Sequence, residues 1–222
     1  MTREIHHFID GKTFKGSSGQ FGDVFNPNTG EVQARVQFAT PDEVAKAVET
    51  AKAAQIEWAA MNPQRRARVL MTYKSLVEAE MDELAHLLSS EHGKVIADAK
   101  GDLIRGLEVI EFACGVPHLM KGEYTESAGT GIDVYSMRQP LGVVAGISPF
   151  NFPAMIPMWF MGMALATGNA MILKPSEKDP SVPVRLAELM IEAGLPEGVL
   201  QVVHGDKSAV DALLHNDDIK AV

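Results

Sequence analysis

The chain has 222 residues, which allows one large domain or two small ones with an ample buried core. Its net charge of −9 argues against a nucleic-acid partner, which would need a basic face. A single cysteine, Cys114, excludes an internal disulfide, and the first residues lack the apolar stretch of a secretory signal, so we expect a cytoplasmic protein.

The first forty residues are typical of β-structure. Residues 6–9 and 12–14 flank Asp10-Gly11, a favoured pair for a tight hairpin turn. Two more strands are predicted over residues 21–25 and 32–38, on either side of a turn that contains Asn, Pro and Gly.

Four helices are predicted next. Thr40-Pro41-Asp42-Glu43 forms a capping box that opens the first helix, and Asn62-Pro63 begins the second. The third covers residues 81–92 and ends at Gly93. A longer fourth helix is predicted over residues 95–120, with one buried face. That face consists of Leu103, Leu107, Ile110 and Cys114.

Residues 123–140 interrupt this pattern. They contain two extended segments around Gly129-Thr130-Gly131 with little apolar material of their own, so we expect them to pair with another surface. This segment divides the chain into residues 1–122, residues 123–140 and residues 141–222.

From residue 141 onward, strands and helices alternate, which predicts an α/β fold with a doubly wound parallel sheet. The final strand reaches the last residue, Val222, so we expect the natural protein to continue beyond it. The predicted strands are 143–147, 170–174, 200–203 and 219–222, and the predicted helices are 153–167, 183–193 and 207–214.

Residues 141–173 carry no charge and are numerous enough to span a membrane. Three prolines, Pro149, Pro153 and Pro157, divide this stretch into pieces of strand and helix length. We therefore predict a buried strand, helix and strand in the middle of the sheet, and no membrane contact.

Two of the predicted strand ends carry polar residues where ligands gather in parallel sheets. Asn151 follows the first; its amide could stabilise an oxyanion or, alternatively, cap the next helix. Lys174 and Glu177 follow the second; they could hold the hydroxyls of a cofactor ribose, or form an ion pair or place an acid at a helix N-terminus. The usual G-x-G-x-x-G fingerprint is absent.

The segments Ser148-Pro149-Phe150-Asn151-Phe152-Pro153 and Leu173-Lys174-Pro175-Ser176-Glu177 together resemble the paired signature of the aldehyde dehydrogenase superfamily. Further similarities at residues 8–11, 26–27 and 198–205 extend the resemblance over nearly the whole chain. This superfamily binds its dinucleotide without the glycine fingerprint.

The resemblance implies a role for each polar residue at these strand ends. Asn151 is implied to be the side-chain half of an oxyanion hole, and Lys174 and Glu177 to bind the adenosine ribose of NAD. Ser148, Phe150 and Lys178 are implied to line the cofactor site. Residues 1–122 and 141–222 are implied to form the NAD-binding domain. Residues 123–140 are implied to form a protruding β arm that pairs with another subunit, which predicts a homodimer or a homotetramer.

A narrower similarity points to the methylmalonate-semialdehyde dehydrogenases. It rests on residues 101–109, 112–114, 119–120, 153–159 and 174–178. In that group the position of Arg105 binds the substrate carboxylate, a task that suits a guanidinium. The alternative is that Arg105 pairs on the helix surface with Asp102 or Glu108, each one turn away.

The implied reaction is oxidative acylation of a small aldehyde. A cysteine thiolate attacks the aldehyde and hydride passes to NAD, which leaves a thioester on the enzyme. Coenzyme A then takes the acyl group, with loss of the substrate carboxylate as carbon dioxide. Cys114 is expected to be a buried small hydrophobe, and the nucleophile to lie after residue 222. The alternatives are a hydrolytic dehydrogenase that releases a free acid and a non-catalytic NAD-binding or assembly module. Histidine spacing predicts no metal site.

Overall fold

A computed structural model describes residues 2–222. Its strands form three sheets, and its helices cover the largest of them. The strands are β1 (Arg3–Ile5), β2 (His7–Ile9), β3 (Lys12–Phe14), β4 (Phe21–Asn26), β5 (Glu31–Gln37), β6 (Tyr124–Gly129), β7 (Ile132–Tyr135), β8 (Val143–Ile147), β9 (Ala170–Lys174), β10 (Leu200–Val202) and β11 (Ile219–Ala221). The helices are α1 (Pro41–Ala60), α2 (Pro63–Ala79), α3 (Met81–His92), α4 (Ile96–Cys114), α5 (Val116–Leu119), α6 (Met155–Ala166), α7 (Ser181–Glu192) and α8 (Lys207–Leu214).

The main sheet has the order β11-β8-β9-β10-β2-β3. Its four strands from β11 to β10 run parallel, and the β2–β3 hairpin adds an antiparallel edge next to β10. All five residues of β9 are buried, as expected for a strand covered on both faces. Helices α1, α6 and α7 pack against these strands. The predicted α/β fold with a parallel sheet is therefore confirmed.

The N-terminal strands divide between two sheets. β2 and β3 join through Asp10 and Gly11, both at positive φ, and complete the main sheet. β1, β5 and β4 form a second sheet with its own small core of Ile5, Val24, Ala34 and Val36. The hairpin was predicted from its turn residues, whereas the pairing of β2 with β10, about 190 residues away, has no local signal.

The predicted helix ends follow local chemistry. The Thr40 side chain accepts a hydrogen bond from the Glu43 N–H, and the Glu43 carboxylate accepts one from the Thr40 N–H, so the capping box is present. Gly93 ends α3 in the left-handed conformation at φ 87°, which glycine adopts without a Cβ penalty.

The single long helix predicted over residues 95–120 is wrong. α4 ends at Cys114, and the short helix α5 follows after Gly115. Pro117 explains the break because it has no N–H to donate to the carbonyl of Ala113 one turn earlier. The buried residues of α4 nevertheless include Leu103, Leu107 and Ile110, as the spacing predicted.

The segment 123–140 contains β6 and β7, which pair with each other in an antiparallel hairpin. Its apolar side chains are exposed, among them Tyr124, Ile132, Val134 and Tyr135. Within residues 2–222, no helix is both long and apolar enough to cross a membrane.

Candidate active site

The site lies where the adjacent parallel strands β8 and β9 end. Ile147 is the register partner of Lys174, and the Ser148 N–H donates to the Lys174 carbonyl over 3.1 Å. From this point the chain after β8 turns toward α6, and the chain after β9 turns toward α7. The two turns therefore leave a common edge side by side, which is where parallel sheets place ligands.

Lys174 and Glu177 occupy one side of this edge. Lys174 is 5% exposed, and its Nζ lies 3.1 Å from Oε2 of Glu177, which is partly exposed. Burial raises the pKa of Glu177, but its backbone N–H and the Lys174 ammonium outweigh that effect and leave the pKa lowered. The ion pair considered as an alternative is thus present, and it holds a donor and an ionised acceptor beside each other.

Phe150 and Lys178 connect the two turns. The Lys178 ammonium lies 4.5 Å from the centroid of the Phe150 ring, a cation–π distance. The Lys178 N–H also donates to the Ser176 hydroxyl over 3.1 Å. Phe150 and Lys178, with Glu177, line a cleft of about 440 Å³.

Ser148 is buried at the base of the same edge. Its side-chain oxygen has no hydrogen-bond partner among residues 2–222. A buried hydroxyl without a partner is uncommon, because it loses its bonds to water. The neighbouring Lys174–Glu177 pair, with a donor and an acceptor side by side, suits a ligand that carries adjacent hydroxyls.

Asn151 is exposed in the turn between β8 and α6. The helix-capping alternative is not observed, since α6 begins at Met155 after an N-cap, Ala154, that makes no side-chain bond. The first backbone N–H of α6 instead donates to the Asp102 carboxylate over 2.7 Å. Within residues 2–222, the Asn151 side-chain amide has no hydrogen-bond partner that would occupy it.

Arg105 is exposed on α4, and neither of the helix-surface pairs considered for it forms. Asp102, one turn earlier, pairs with Lys94 at 2.6 Å. The backbone carbonyl of Arg105 accepts a hydrogen bond from the Trp159 indole over 3.3 Å. α4 thus packs along α6 and leaves the Arg105 guanidinium available to an anionic ligand.

Sequence reasoning missed the role of Asp102 and Lys94. It considered Asp102 only as a surface partner of Arg105, whereas the Asp102 side chain is 0% exposed. A carboxylate among the apolar positions of a helix was the available signal, because such a group is seldom buried without a partner.

Cys114 was expected to be buried, but it lies at the edge of the core and packs against it. It is half-buried at the end of α4, and burial raises the pKa of its thiol. A raised pKa lowers the thiolate fraction that a nucleophile needs. Among residues 2–222, no three side chains of His, Cys, Asp or Glu converge as metal ligands.

The family model of the aldehyde dehydrogenases matches residues 14–222. The chain is 50% identical to the malonate-semialdehyde dehydrogenase of Pseudomonas aeruginosa over 98% of its own length and 44% of that protein. It is 47% identical to the mitochondrial acylating methylmalonate-semialdehyde dehydrogenase of Arabidopsis thaliana over 100% of its length and 37% of that protein. The chain therefore spans less than half the length of these relatives.

Two solved structures are also similar. One is a Sinorhizobium meliloti protein assigned as a methylmalonate-semialdehyde dehydrogenase and solved in complex with NAD; it is 64% identical, with a TM-score of 0.98 over 99% of this chain and 45% of that one. The other is the methylmalonate-semialdehyde dehydrogenase of Oceanimonas doudoroffii, which is 49% identical, with a TM-score of 0.97 over 100% of this chain and 45% of that one. The chain therefore belongs to the aldehyde dehydrogenase family.

Proposed function

We propose that the protein containing this chain oxidises malonate or methylmalonate semialdehyde with NAD and transfers the acyl group to coenzyme A. The observation that carries the proposal is the convergence of the Lys174–Glu177 pair and the unpaired Asn151 amide on the two strand ends of β8 and β9. These residues supply one half of a catalytic site. The nucleophilic cysteine that the reaction needs is assigned to a position outside residues 1–222.

Lys174 and Glu177 are proposed to bind the adenosine ribose of NAD. The ammonium can donate to one ribose hydroxyl while the ionised carboxylate accepts from its neighbour, so the 3.1 Å pair matches a vicinal diol. Ser148, Phe150 and Lys178 are proposed to line the same cofactor site. When bound, NAD supplies the acceptor for the hydride that leaves the aldehyde carbon.

Asn151 is proposed to stabilise the oxyanion that forms when the thiolate attacks the aldehyde. A neutral amide N–H that no other group occupies can donate to the developing negative charge without reorganising. Its place between two structured elements, β8 and α6, keeps it near a fixed position.

Arg105 is proposed to bind the carboxylate of the semialdehyde. Its guanidinium has no acidic partner among residues 2–222, and a planar fork of N–H donors suits a carboxylate. The exposed β6–β7 hairpin is proposed to pair with another subunit in a homodimer or a homotetramer, which would cover Tyr124 and its apolar neighbours.

The first experiment measures NAD binding to the purified protein by calorimetry. Lys174→Ala should weaken the affinity roughly 10- to 100-fold, the effect of losing one or two hydrogen bonds from a charged group. Lys74→Ala is the control because it removes a lysine that also pairs with a nearby glutamate, Glu78, but lies on α2 away from the strand ends. Equal affinity of the Lys174 and Lys74 variants would contradict the ribose assignment.

The second experiment identifies the acyl acceptor and the substrate carboxylate. The intact protein is incubated with NAD, malonate semialdehyde and coenzyme A, and the product is analysed by mass spectrometry. If a free acid is the sole product, the reaction is hydrolytic and the proposed transfer to coenzyme A is wrong. Arg105→Ala should raise KM for malonate semialdehyde but not for propanal, which has no carboxylate.

A further inference from the structure

The turn that carries Asn151 depends on α4 for its position. It covers residues 148–154, and α6 begins directly after it at Met155. The first N–H groups of a helix need acceptors from outside the helix, and the N-cap Ala154 supplies none through its side chain. The far end of this turn is therefore fixed by whatever group accepts those donors.

Asp102 accepts from the first of these donors, the N–H of Met155. Its Oδ1 accepts from the Met155 N–H over 2.7 Å, and its Oδ2 accepts from the Lys94 ammonium over 2.6 Å. The Asp102 side chain is 0% exposed and that of Lys94 is 13% exposed. A negative charge at a helix N-terminus is favourable, and a buried carboxylate needs a cationic partner to remain ionised.

Lys94 contacts the same turn at a second point. Its Nζ lies 4.2 Å from the centroid of the Phe152 ring, within the range of a cation–π interaction. Phe152 is the residue directly after Asn151, and Met155 lies four positions after Asn151. The Lys94–Asp102 pair thus holds the turn at two places on the C-terminal side of Asn151, while the Ser148 N–H bond to Lys174 holds its start.

The base of this arrangement is closely packed. At Gly106 an added Cβ would lie 3.2 Å from the Met155 Cα and would overlap the end of the Met158 side chain. The two helices are therefore in close contact one turn beyond Asp102. A shift of the carboxylate relative to the N-terminus of α6 would require α4 and α6 to separate.

We propose that Lys94 and Asp102 are positioning residues that fix the Asn151 amide for oxyanion stabilisation. Neither residue needs to touch the substrate: both act through the turn of residues 148–154. The proposal rests on the proposed function of Asn151. It adds a connection between α4, which carries Arg105, and the loop that carries the oxyanion donor.

A double-mutant cycle in the intact protein tests this connection. Asn151→Ala should lower kcat roughly 10²- to 10³-fold, and Asp102→Ala roughly 10- to 100-fold, with KM for NAD unchanged. In the Asn151→Ala background, Asp102→Ala should lower kcat by less than about twofold, because the group it positions is gone. Lys100→Gln, which breaks the exposed pair between Lys100 on α4 and Asp82 on α3, is the control.

Asp102→Asn removes the same negative charge but leaves no cavity at residue 102. It keeps an oxygen for the Met155 N–H, so it should restore part of the activity that Asp102→Ala loses. If Asp102→Ala does not fold, a several-fold loss of kcat in Asp102→Asn that disappears in the Asn151→Ala background supports the proposal. A loss of kcat in Asp102→Asn that is equally large in the Asn151→Ala background overturns it, because the residue then acts through a group other than Asn151.

Hydrogen exchange gives a measurement that is independent of activity. The Met155 amide should exchange roughly tenfold faster or more in Asp102→Ala, while the central strand β9 is unaffected. Exchange at Met155 that is unchanged in Asp102→Ala would overturn the positioning role alone. So would a normal kcat in Asp102→Ala if Asn151→Ala has a lowered kcat. An unchanged kcat in Asn151→Ala would overturn the oxyanion assignment itself, and with it this role.

Discussion

Asp179 gives the protein a pH-dependent stability that a single substitution should remove. This residue lies in the turn between β9 and α7, is 3% exposed, and its Oδ1 has no hydrogen-bond partner among residues 2–222. Burial, followed by the negative charge of Glu91, raises the pKa of Asp179 to about 8 from 3.8. At neutral pH the folded protein therefore keeps this carboxyl protonated.

The sign of the effect follows from proton counting. Between pH 4 and pH 8 the folded state holds a proton on Asp179 that the unfolded state has released, so unfolding becomes easier as the pH rises. One proton corresponds to a loss of about 1.4 kcal/mol in the free energy of unfolding per pH unit. Between pH 5.5 and pH 7.5, Asp179 should therefore lower the free energy of unfolding by about 3 kcal/mol.

Asp179→Asn keeps the shape of the protonated carboxyl but cannot ionise. Urea denaturation at pH 5.5, 6.5 and 7.5, followed by circular dichroism, would give the free energy of unfolding for both proteins. Relative to the unmodified protein, the free energy of unfolding of the variant should rise by about 1.4 kcal/mol for each pH unit of increase. Asp217→Asn, an exposed change near β11, is the control. A difference between Asp179→Asn and the unmodified protein that stays constant with pH would refute the reasoning.

Three further predictions concern packing and cofactor choice. Gly106→Ala should destabilise the protein by about 1–3 kcal/mol, because the added Cβ meets the Met155 backbone. Gly101→Ala on the same helix meets nothing within 4 Å and should stabilise the protein by up to about 1 kcal/mol. Urea denaturation of both variants measures the two changes. Trp58→Phe loses a buried bond to the Leu165 carbonyl and should cost about 1–3 kcal/mol, while Trp159→Phe, at a partly exposed indole, should cost less by the same assay. Glu177→Gln removes a carboxylate that would repel a ribose phosphate, so calorimetry should show the affinity ratio of NADP to NAD rising by about tenfold.

The elements that local chemistry controls were predictable from the sequence. The Thr40–Glu43 capping box, the αL residue Gly93 and the Asp10-Gly11 turn each use contacts among neighbouring residues, and each lies where predicted. The helix predicted over residues 95–120 failed for a local reason as well. The apolar spacing continued past Cys114, but Pro117 cannot supply the hydrogen bond that a continuous helix requires.

One feature of the candidate site was predictable from the sequence, and another was not. Parallel strands that are neighbours in a sheet end at one edge, so the meeting of the turns after β8 and β9 followed from the predicted topology. The pairing of Asp102 with Lys94 could not be predicted in this way. From spacing alone, Arg105 is as good a partner as any, because it lies one turn away on the same helix.

Burial decides between the possible partners of Asp102. The carboxylate is inside the protein, so it must pair with a cation that can follow it there, and Lys94, in the turn before α4, reaches it while Arg105 stays at the surface. Which side of α4 faces α6 is fixed by Gly106, whose missing side chain allows the two helices to touch. Glycine is unfavourable in a helix interior, yet Gly106 permits the close approach that brings Asp102 to the N-terminus of α6, while Arg105 stays exposed.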